Sequence, residues 1–366
     1  MGLTCGIIGL PNAGKSTLFN CLSQTKAQIA QYPFCTIDPN ISVIPVPDER
    51  LTKLQNILKP NKIVPAHIEF IDIAGLVENA HQGEGLGNQF LGNILETDAI
   101  IHVIRCFDNS EVPHINEKLD PLRDKAIIDT ELQLKDMEMV ERRLQKYWKK
   151  AKAGDKEANK IVSILQEYKT WLGQGKNVRQ MEKKEEHQQF VGDLQLLTDK
   201  PVLYVCNVDE NRFKNSGNQL ITQVEEMAEK EGSEVITLAG GIEEEIANLD
   251  DEEEKAMFLD ELDIEEPVIN RLIKASYHLL NLHTFFTIQS SEVKAWTFPE
   301  GINAPQAAGL IHTDFEKGFI KAEVIKFADF ITYGSEHACR EAGKATLHGK
   351  QYMVQDGDII HFRFNV

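Results

Sequence analysis

Short apolar runs alternate with longer periodic stretches through the first third of the chain. Runs at 4–8, 41–46, 67–73 and 99–105, and again at 202–207 and 234–238, are rich in β-branched residues and short enough for buried strands. Helical spacing lies between several of them, which predicts an α/β domain built on a mostly parallel sheet. Between the fourth and fifth runs the alternation stops. There Leu134, Met137, Val140, Leu144 and Trp148 recur every three or four positions, and Ile161, Ile164, Leu165, Tyr168, Trp171 and Leu172 do the same. Gly154 and Asp155 sit between them as a turn. Two such stripes predict an antiparallel helical hairpin inserted into the α/β domain, with Tyr147, Trp148, Tyr168 and Trp171 in its seam. A third helix near 187–197 leads the chain back to the sheet. The acidic stretches 243–245 and 250–254 read as solvated helix faces. From about residue 282 the pattern changes again, and runs at 285–288, 292–297, 318–324, 351–354 and 359–364 predict the strands of a small α+β domain.

Length agrees with this division, since 366 residues exceed one domain of about 150. No stretch reaches the roughly 18 consecutive apolar residues of a membrane helix. The first residues carry no basic leader, and the sixth is Gly6 rather than Ser or Thr, so neither a secretory signal nor myristoylation is expected. Cys5, Cys21, Cys35, Cys106, Cys206 and Cys339 are scattered, with no C-x-x-C pair and no zinc spacing, as in a cytoplasmic protein whose thiols are small core hydrophobes. Charge changes the picture more. The chain carries −18 overall, yet residues 142–184 hold thirteen basic residues against four acidic ones, a net +9. A basic module on an acidic body repels bulk nucleic acid, DNA included, while leaving one surface for RNA phosphates.

The chemistry is concentrated near the amino end. Gly9-Leu10-Pro11-Asn12-Ala13-Gly14-Lys15-Ser16-Thr17 matches G-x-x-x-x-G-K-[ST], with an apolar strand before it and a helix after it. In that setting backbone N–H groups and a helix N-terminus surround phosphate oxygens. Lys15 reaches the β- and γ-phosphates, and Ser16 offers its hydroxyl to Mg²⁺. Asp72-Ile73-Ala74-Gly75 follows at the end of a later strand. Asp72 can hold the metal through water there, and Gly75 can give its N–H to the γ-phosphate. Between them, Thr36 lies where P-loop GTPases place a mobile loop and supplies a second hydroxyl for Mg²⁺. Neighbouring Cys35 could couple oxidation to that loop. Gly83, Gly85 and Gly87 read as a flexible second switch rather than a dinucleotide fingerprint, because the preceding strand ends too far upstream.

The base site departs from the guanine pattern. Where guanine-specific proteins carry N-K-x-D, this chain has Asn207-Val208-Asp209-Glu210. The longer carboxylate of Glu210 does not fit the same guanine edge, and Val208 removes the aliphatic cover of a lysine. The S-A-K loop that backs guanine is altered to Leu238-Ala239-Gly240. ATP is therefore expected over GTP.

These segments, with YPFCTIDPN, DIAGLV, APQAAGLIHTDFEKGFI and the closing VQDGDIIHFRFNV, resemble the YchF / Obg-like ATPase family along essentially the whole chain. The resemblance implies a Ras-like P-loop domain (1–128 and 200–280), an inserted helical hairpin (129–199) and a C-terminal TGS domain of β-grasp shape (281–366). It also implies ATP hydrolysis in the cytoplasm and binding to the ribosome, through its large subunit and rRNA, in translation or stress response. Ala13 stands where the family usually has Val, a tolerable change because the backbone does the binding. Leu76 occupies the position of the water-orienting Gln of Ras-like enzymes. By resemblance the water is placed instead by His114, in the loop after the fourth strand. Asn12 sits where related potassium-activated enzymes ligate K⁺. Three readings remain open: a ribosome-associated ATPase, a GTPase of the same fold, and a non-catalytic binding protein with a structural nucleotide.

Overall fold

The computed structural model describes residues 3–27, 40–73, 86–108, 119–210, 213, 218–249, 251–289 and 291–365. The expectations for Thr36, Gly75 and His114, and for Cys35, Leu76, Gly83, Gly85 and Gly87, lie outside the described residues. The chain divides into two compact units, Leu3–Ser42 with Glu69–Ile269, and Val43–Ile68 with Asn270–Val366.

One sheet consists of β1 (Thr4–Ile8), β2 (Ile41–Pro45), β4 (His67–Asp72), β5 (Ala99–Arg105), β6 (Val202–Val208) and β7 (Val235–Ala239), in the order β2-β4-β1-β5-β6-β7. Strand β1 runs parallel to β4 and β5, and β5–β6 and β6–β7 are parallel too. Every residue of β1, β5 and β6 is buried, as the continuous apolar runs require of a parallel sheet covered on both faces. Helices α1 (Lys15–Ala27), α3 (Leu86–Leu95), α7 (Gln219–Glu231), α8 (Gly240–Ala247) and α9 (Glu252–Glu261) connect or follow these strands. Ile8, Ile94, Ile104, Tyr204, Val224 and Ile242 are part of one core between the sheet and its helices.

The predicted hairpin is α4 (Pro121–Lys152) and α5 (Lys156–Leu172). Asp120 caps α4 through Arg123 N–H, and Pro121 begins it; Asp155 caps α5 through the N–H groups of Glu157 and Ala158. Val140, Leu144, Ile161, Ile164, Leu165, Tyr168 and Leu172 form the seam. The stripe was broader in sequence than in space. Leu134 is 41% exposed and Trp148 is 48% exposed, so Trp148 is not a seam residue. It sits near the tip, where the two helices end and the packing runs out. The third helix is shorter than expected: α6 (Glu185–Val191), followed by single 3₁₀ turns at Gly192–Leu194 and Leu197–Asp199.

Glu243 corrects the reading of a solvated acidic face. It is 3% exposed, and its carboxylate accepts from the N–H groups of Val268 (2.9 Å) and Ile269 (3.2 Å) at the start of α10 (Val268–Leu279). Orphan donors at a helix N-terminus draw a carboxylate inside. Glu244 and Glu245 remain exposed as expected.

The second unit holds a sheet ordered β11-β10-β12-β8-β9-β3. Its strands are β3 (Lys62–Val64), β8 (Leu282–Ile288), β9 (Glu292–Pro299), β10 (Phe319–Lys326), β11 (Thr346–His348) and β12 (Asp358–Phe364). Phe285, Phe298, Phe319, Phe362 and three alanines of α11 (Ala304–Ile311) belong to its core. Residues 351–354 are not a strand; Met353 makes a single bridge to Asn303, and Thr346–His348 supplies the edge strand instead. Strand β3, pairing parallel with β9, had no sequence signal beyond three residues. Ahead of it, α2 (Glu49–Leu58) is capped by Asp48, whose carboxylate also holds Arg50, and Arg50 reaches Asp356 at 2.6 Å.

Candidate nucleotide site

Strand β1 ends at Ile8, and α1 begins at Lys15, so six residues turn the chain from strand to helix. Two glycines make that turn possible. A Cβ on Gly9 would lie 2.4 Å from the Val103 carbonyl oxygen of β5. A Cβ on Gly14, where φ is +100°, would lie 2.0 Å from Asn207 Nδ2. Asn12 also adopts a left-handed backbone, with φ 64°. The Leu10 carbonyl accepts from Ala13 N–H at 3.3 Å and closes the loop. The first bond of the helix, Leu18 N–H to Gly14 O at 3.0 Å, leaves the N–H groups of Lys15, Ser16 and Thr17 ahead of it. A row of N–H donors at a positive helix end is a cradle for phosphate.

Side chains complete it. Lys15 is buried and its ammonium donates to the Leu10 carbonyl at 3.0 Å. Burial lowers its pKa, and the field of Asp72 opposes that shift. Asp72, the last residue of β4, is held above the usual carboxylate range by desolvation, with Lys15 pulling the other way. Its Oδ1 is buried with no hydrogen-bond partner among the described residues. An orphaned carboxylate oxygen beside a lysine suits a cation or a metal-bound water. Ser16 is exposed at the helix start. The donor set, one hydroxyl and one under-satisfied carboxylate, fits Mg²⁺, which takes oxygen ligands and keeps several waters.

The base side is tied to the cradle through Asn207. Its Nδ2 donates to the Ala13 carbonyl at 3.0 Å, and its Oδ1 accepts from Gly240 N–H at 3.2 Å. Asn207 is therefore buried between the phosphate loop and the first residue of α8. It positions the walls of the site with both ends of its amide. Sequence spacing suggested a residue at the base; the pairing with Ala13 and Gly240 depends on β6 and β7 lying beside β1 and β5. Thr17 and Gly240 are close as well, a Cβ on Gly240 falling 3.2 Å from Thr17 Cγ2. Val208 ends β6 and is buried, while Glu210 is exposed just beyond the strand. Ala13 is buried, so its methyl packs inside and leaves the backbone to face the phosphates. The structure thus brings together Asn12, Ala13, Gly14, Lys15, Ser16 and Thr17 with Asp72 and Asn207.

Residues 4–143 match a family model described as a 50S ribosome-binding GTPase, and residues 282–365 match the YchF-GTPase C-terminal model, described as a protein of unknown function (DUF933). The chain is 52% identical to the ribosome-binding ATPase YchF of Haemophilus influenzae over all 366 residues, with both chains covered completely. It is 51% identical, again over the whole of both chains, to the ribosome-binding ATPase YchF of Bacillus subtilis. The chain belongs to the YchF family. Its fold follows the solved structure of the Schizosaccharomyces pombe YchF GTPase, with a TM-score of 0.89 and 36% identity over 99% of this chain and 98% of that one. The cradle described here is therefore that of a YchF P-loop domain.

Proposed function

We propose that this YchF chain is a Mg²⁺-dependent ATPase that binds the ribosome, through its large subunit, as its nucleotide changes. The observation that carries the reading is the cradle clamped by Asn207, with Lys15 and the orphaned Asp72 oxygen on its floor. ATP enters with its phosphates on the N–H row of residues 14–17. Lys15 leaves the Leu10 carbonyl and spans the β- and γ-phosphates, recovering as ion pairs what it loses as one hydrogen bond. Ser16 and, through water, Asp72 would hold Mg²⁺, with Thr36 as the second hydroxyl; the ion, when bound, neutralises charge developing on the phosphates. Asn12 would hold K⁺. Gly75 gives its N–H to the γ-phosphate, and His114 places the attacking water by accepting a hydrogen bond from it. Glu210 and Val208 favour adenine over guanine.

The ribosome-facing parts are the hairpin and the TGS domain, in a domain plan of 1–128 with 200–280, 129–199 and 281–366. The hairpin tip supports this. Lys146, Lys149, Lys150, Lys152 and Lys156 are exposed around Trp148, and Lys152 lies 5.5 Å from the Trp148 ring. A basic tip with an accessible aromatic suits single-stranded or looped RNA. Not all of the basic block is available: the Arg179 side chain is 9% exposed and pairs with Glu231, and Arg143, Lys169 and Lys183 pair with Asp193, Glu141 and Asp199. Among the described residues no helix is long and apolar enough to cross a membrane; the cytoplasm, where ribosomes work, is the proposed location.

A GTPase reading is favoured by the names of the matched family model and of the S. pombe structure. Competition of ATP and GTP for a fluorescent nucleotide, with phosphate release measured with and without ribosomes, separates the two. Tighter GTP binding overturns the ATP assignment, and no multiple-turnover release under either condition overturns hydrolysis.

A further inference from the structure

Helix α8 has only eight residues, and its N-terminus has no side-chain cap, because Ala239 stands at the N-cap. A helix of two turns does not hold its own place. Yet its first turn forms a wall of the nucleotide site. Gly240 N–H donates to Asn207 Oδ1 at 3.2 Å, and Asn207 Nδ2 donates to the Ala13 carbonyl at 3.0 Å. Gly240 also lies close against α1, a Cβ there falling 3.2 Å from Thr17 Cγ2 and 3.3 Å from Asn207 Oδ1. The wall is backbone, so its position depends on where the first turn of α8 sits.

Glu243 meets that turn from the other direction. It lies three residues after Gly240 and is 3% exposed. Its Oε1 accepts from Val268 N–H at 2.9 Å and its Oε2 from Ile269 N–H at 3.2 Å, the first two residues of α10. Each oxygen takes a different backbone donor, so the carboxylate cannot turn without losing one of them. Ile242 and Ile246 bury the same helix in the core. Apolar burial is non-directional and leaves a short helix free to shift along its axis. The two bonds of Glu243 supply the direction that burial lacks.

We infer that Glu243 is a positioning residue for nucleotide binding, a role that rests on the nucleotide reading of the cradle. By tying the first turn of α8 to the start of α10, it holds Gly240 where Asn207 can bridge it to the phosphate loop. A carboxylate that served α10 alone would leave Gly240, Asn207 and the cradle unchanged on its removal.

The test uses Glu243→Ala and Glu243→Gln in the full-length protein. ATP affinity, read by competition with a fluorescent nucleotide, should weaken about tenfold in Glu243→Ala. It should weaken less in Glu243→Gln, which keeps one acceptor and sets an amide NH₂ against the other N–H. KM for ATP should rise in the same order while kcat stays within about twofold of the parent's, since no reacting group is altered. Hydrogen exchange supplies the local readout. The Gly240 amide should exchange faster in Glu243→Ala, while the amides of β5 and β6 keep the parent's rates. A parent that binds no ATP removes the nucleotide reading and this role with it. A parent that binds ATP, with both variants matching its affinity, removes this role alone. A fall in kcat at unchanged KM also overturns it, as does faster exchange at Gly240 and the core strands together, which would make Glu243 a determinant of global stability only. Should Glu243→Ala not fold, Glu243→Gln decides, and parental affinity with parental exchange at Gly240 overturns the role.

Discussion

The phosphate cradle and the root of the inserted hairpin lie in one unit and are held in opposite ways. The cradle is backbone. Its donors are N–H groups, its shape depends on two glycines that tolerate no Cβ, and its residues are consecutive. The hairpin root is side chain. Lys125 and Asp129 of α4 are 2.7 Å apart, and Lys125 also pairs with Glu231 of α7. Arg179 lies 3.4 Å from Glu231 and 3.6 Å from Asp129, and the Tyr204 hydroxyl of β6 donates to Glu231 at 2.7 Å. Asn177 adds a bond to Asp129 at 3.0 Å. All are buried. Two carboxylates face two cations, so the cluster balances, and its cost of desolvation is offset by the bonds made within it. Consecutive residues make a site that binds a ligand; dispersed residues make a joint that holds one element against another.

The largest effects separate the two regions. Lys15→Ala or Ser16→Ala abolishes multiple-turnover phosphate release while leaving the urea midpoint close to the parent's. Gly14→Ala forces its methyl into Asn207 and lowers nucleotide affinity by about two orders of magnitude or more, read by fluorescent-nucleotide titration. At the joint the order reverses. Asp129→Ala leaves Lys125 and Arg179 underpaired inside the protein and costs about 3–5 kcal/mol of stability in urea unfolding. If nucleotide affinity falls there as steeply as stability, the two regions are not separable.

A smaller effect comes from pH. His102 on β5 packs near the Tyr204 ring, and burial pushes its pKa down to about 3; Asp129 opposes that shift, while Lys125 and Arg179 reinforce it. The unfolded chain protonates this histidine near 6.5 and the folded one near 3, so between those values the unfolded state binds more protons. Stability contributed here is present above about pH 6.5 and is lost as pH falls, by up to about 1.4 kcal/mol per unit. His102→Leu should flatten the decline of the thermal midpoint below pH 6.5. An unchanged slope removes His102 as its source. Smallest of all, Trp148→Ala at the hairpin tip should alter stability by less than about 0.5 kcal/mol, yet weaken ribosome co-sedimentation. A large loss of stability would place that ring in the packing after all.

Much of the fold is legible in the sequence. Fully buried parallel strands announce themselves as continuous apolar runs, and β1, β5 and β6 were read nearly to the residue. The phosphate loop was legible because backbone geometry demands glycine at set spacings. Glu243 was not, since a carboxylate in an acidic run looks the same whether it meets water or the N–H groups of Val268 and Ile269. Trp148 was misread because periodicity marks a face but not where along a long helix its partner ends. Strand β3 was missed because three residues carry no period; its place is set by pairing with β9.

Local order therefore determined what depends on neighbours in the chain: strand and helix periods, caps at Asp120 and Asp155, and the amide-lined loop that turns β1 into α1. Tertiary structure alone decided which charges are buried. Lys125 and Glu231 stand 106 positions apart, and nothing in either segment signals the other. Coulomb attraction and desolvation depend on distance and surroundings, and only the folded chain supplies both.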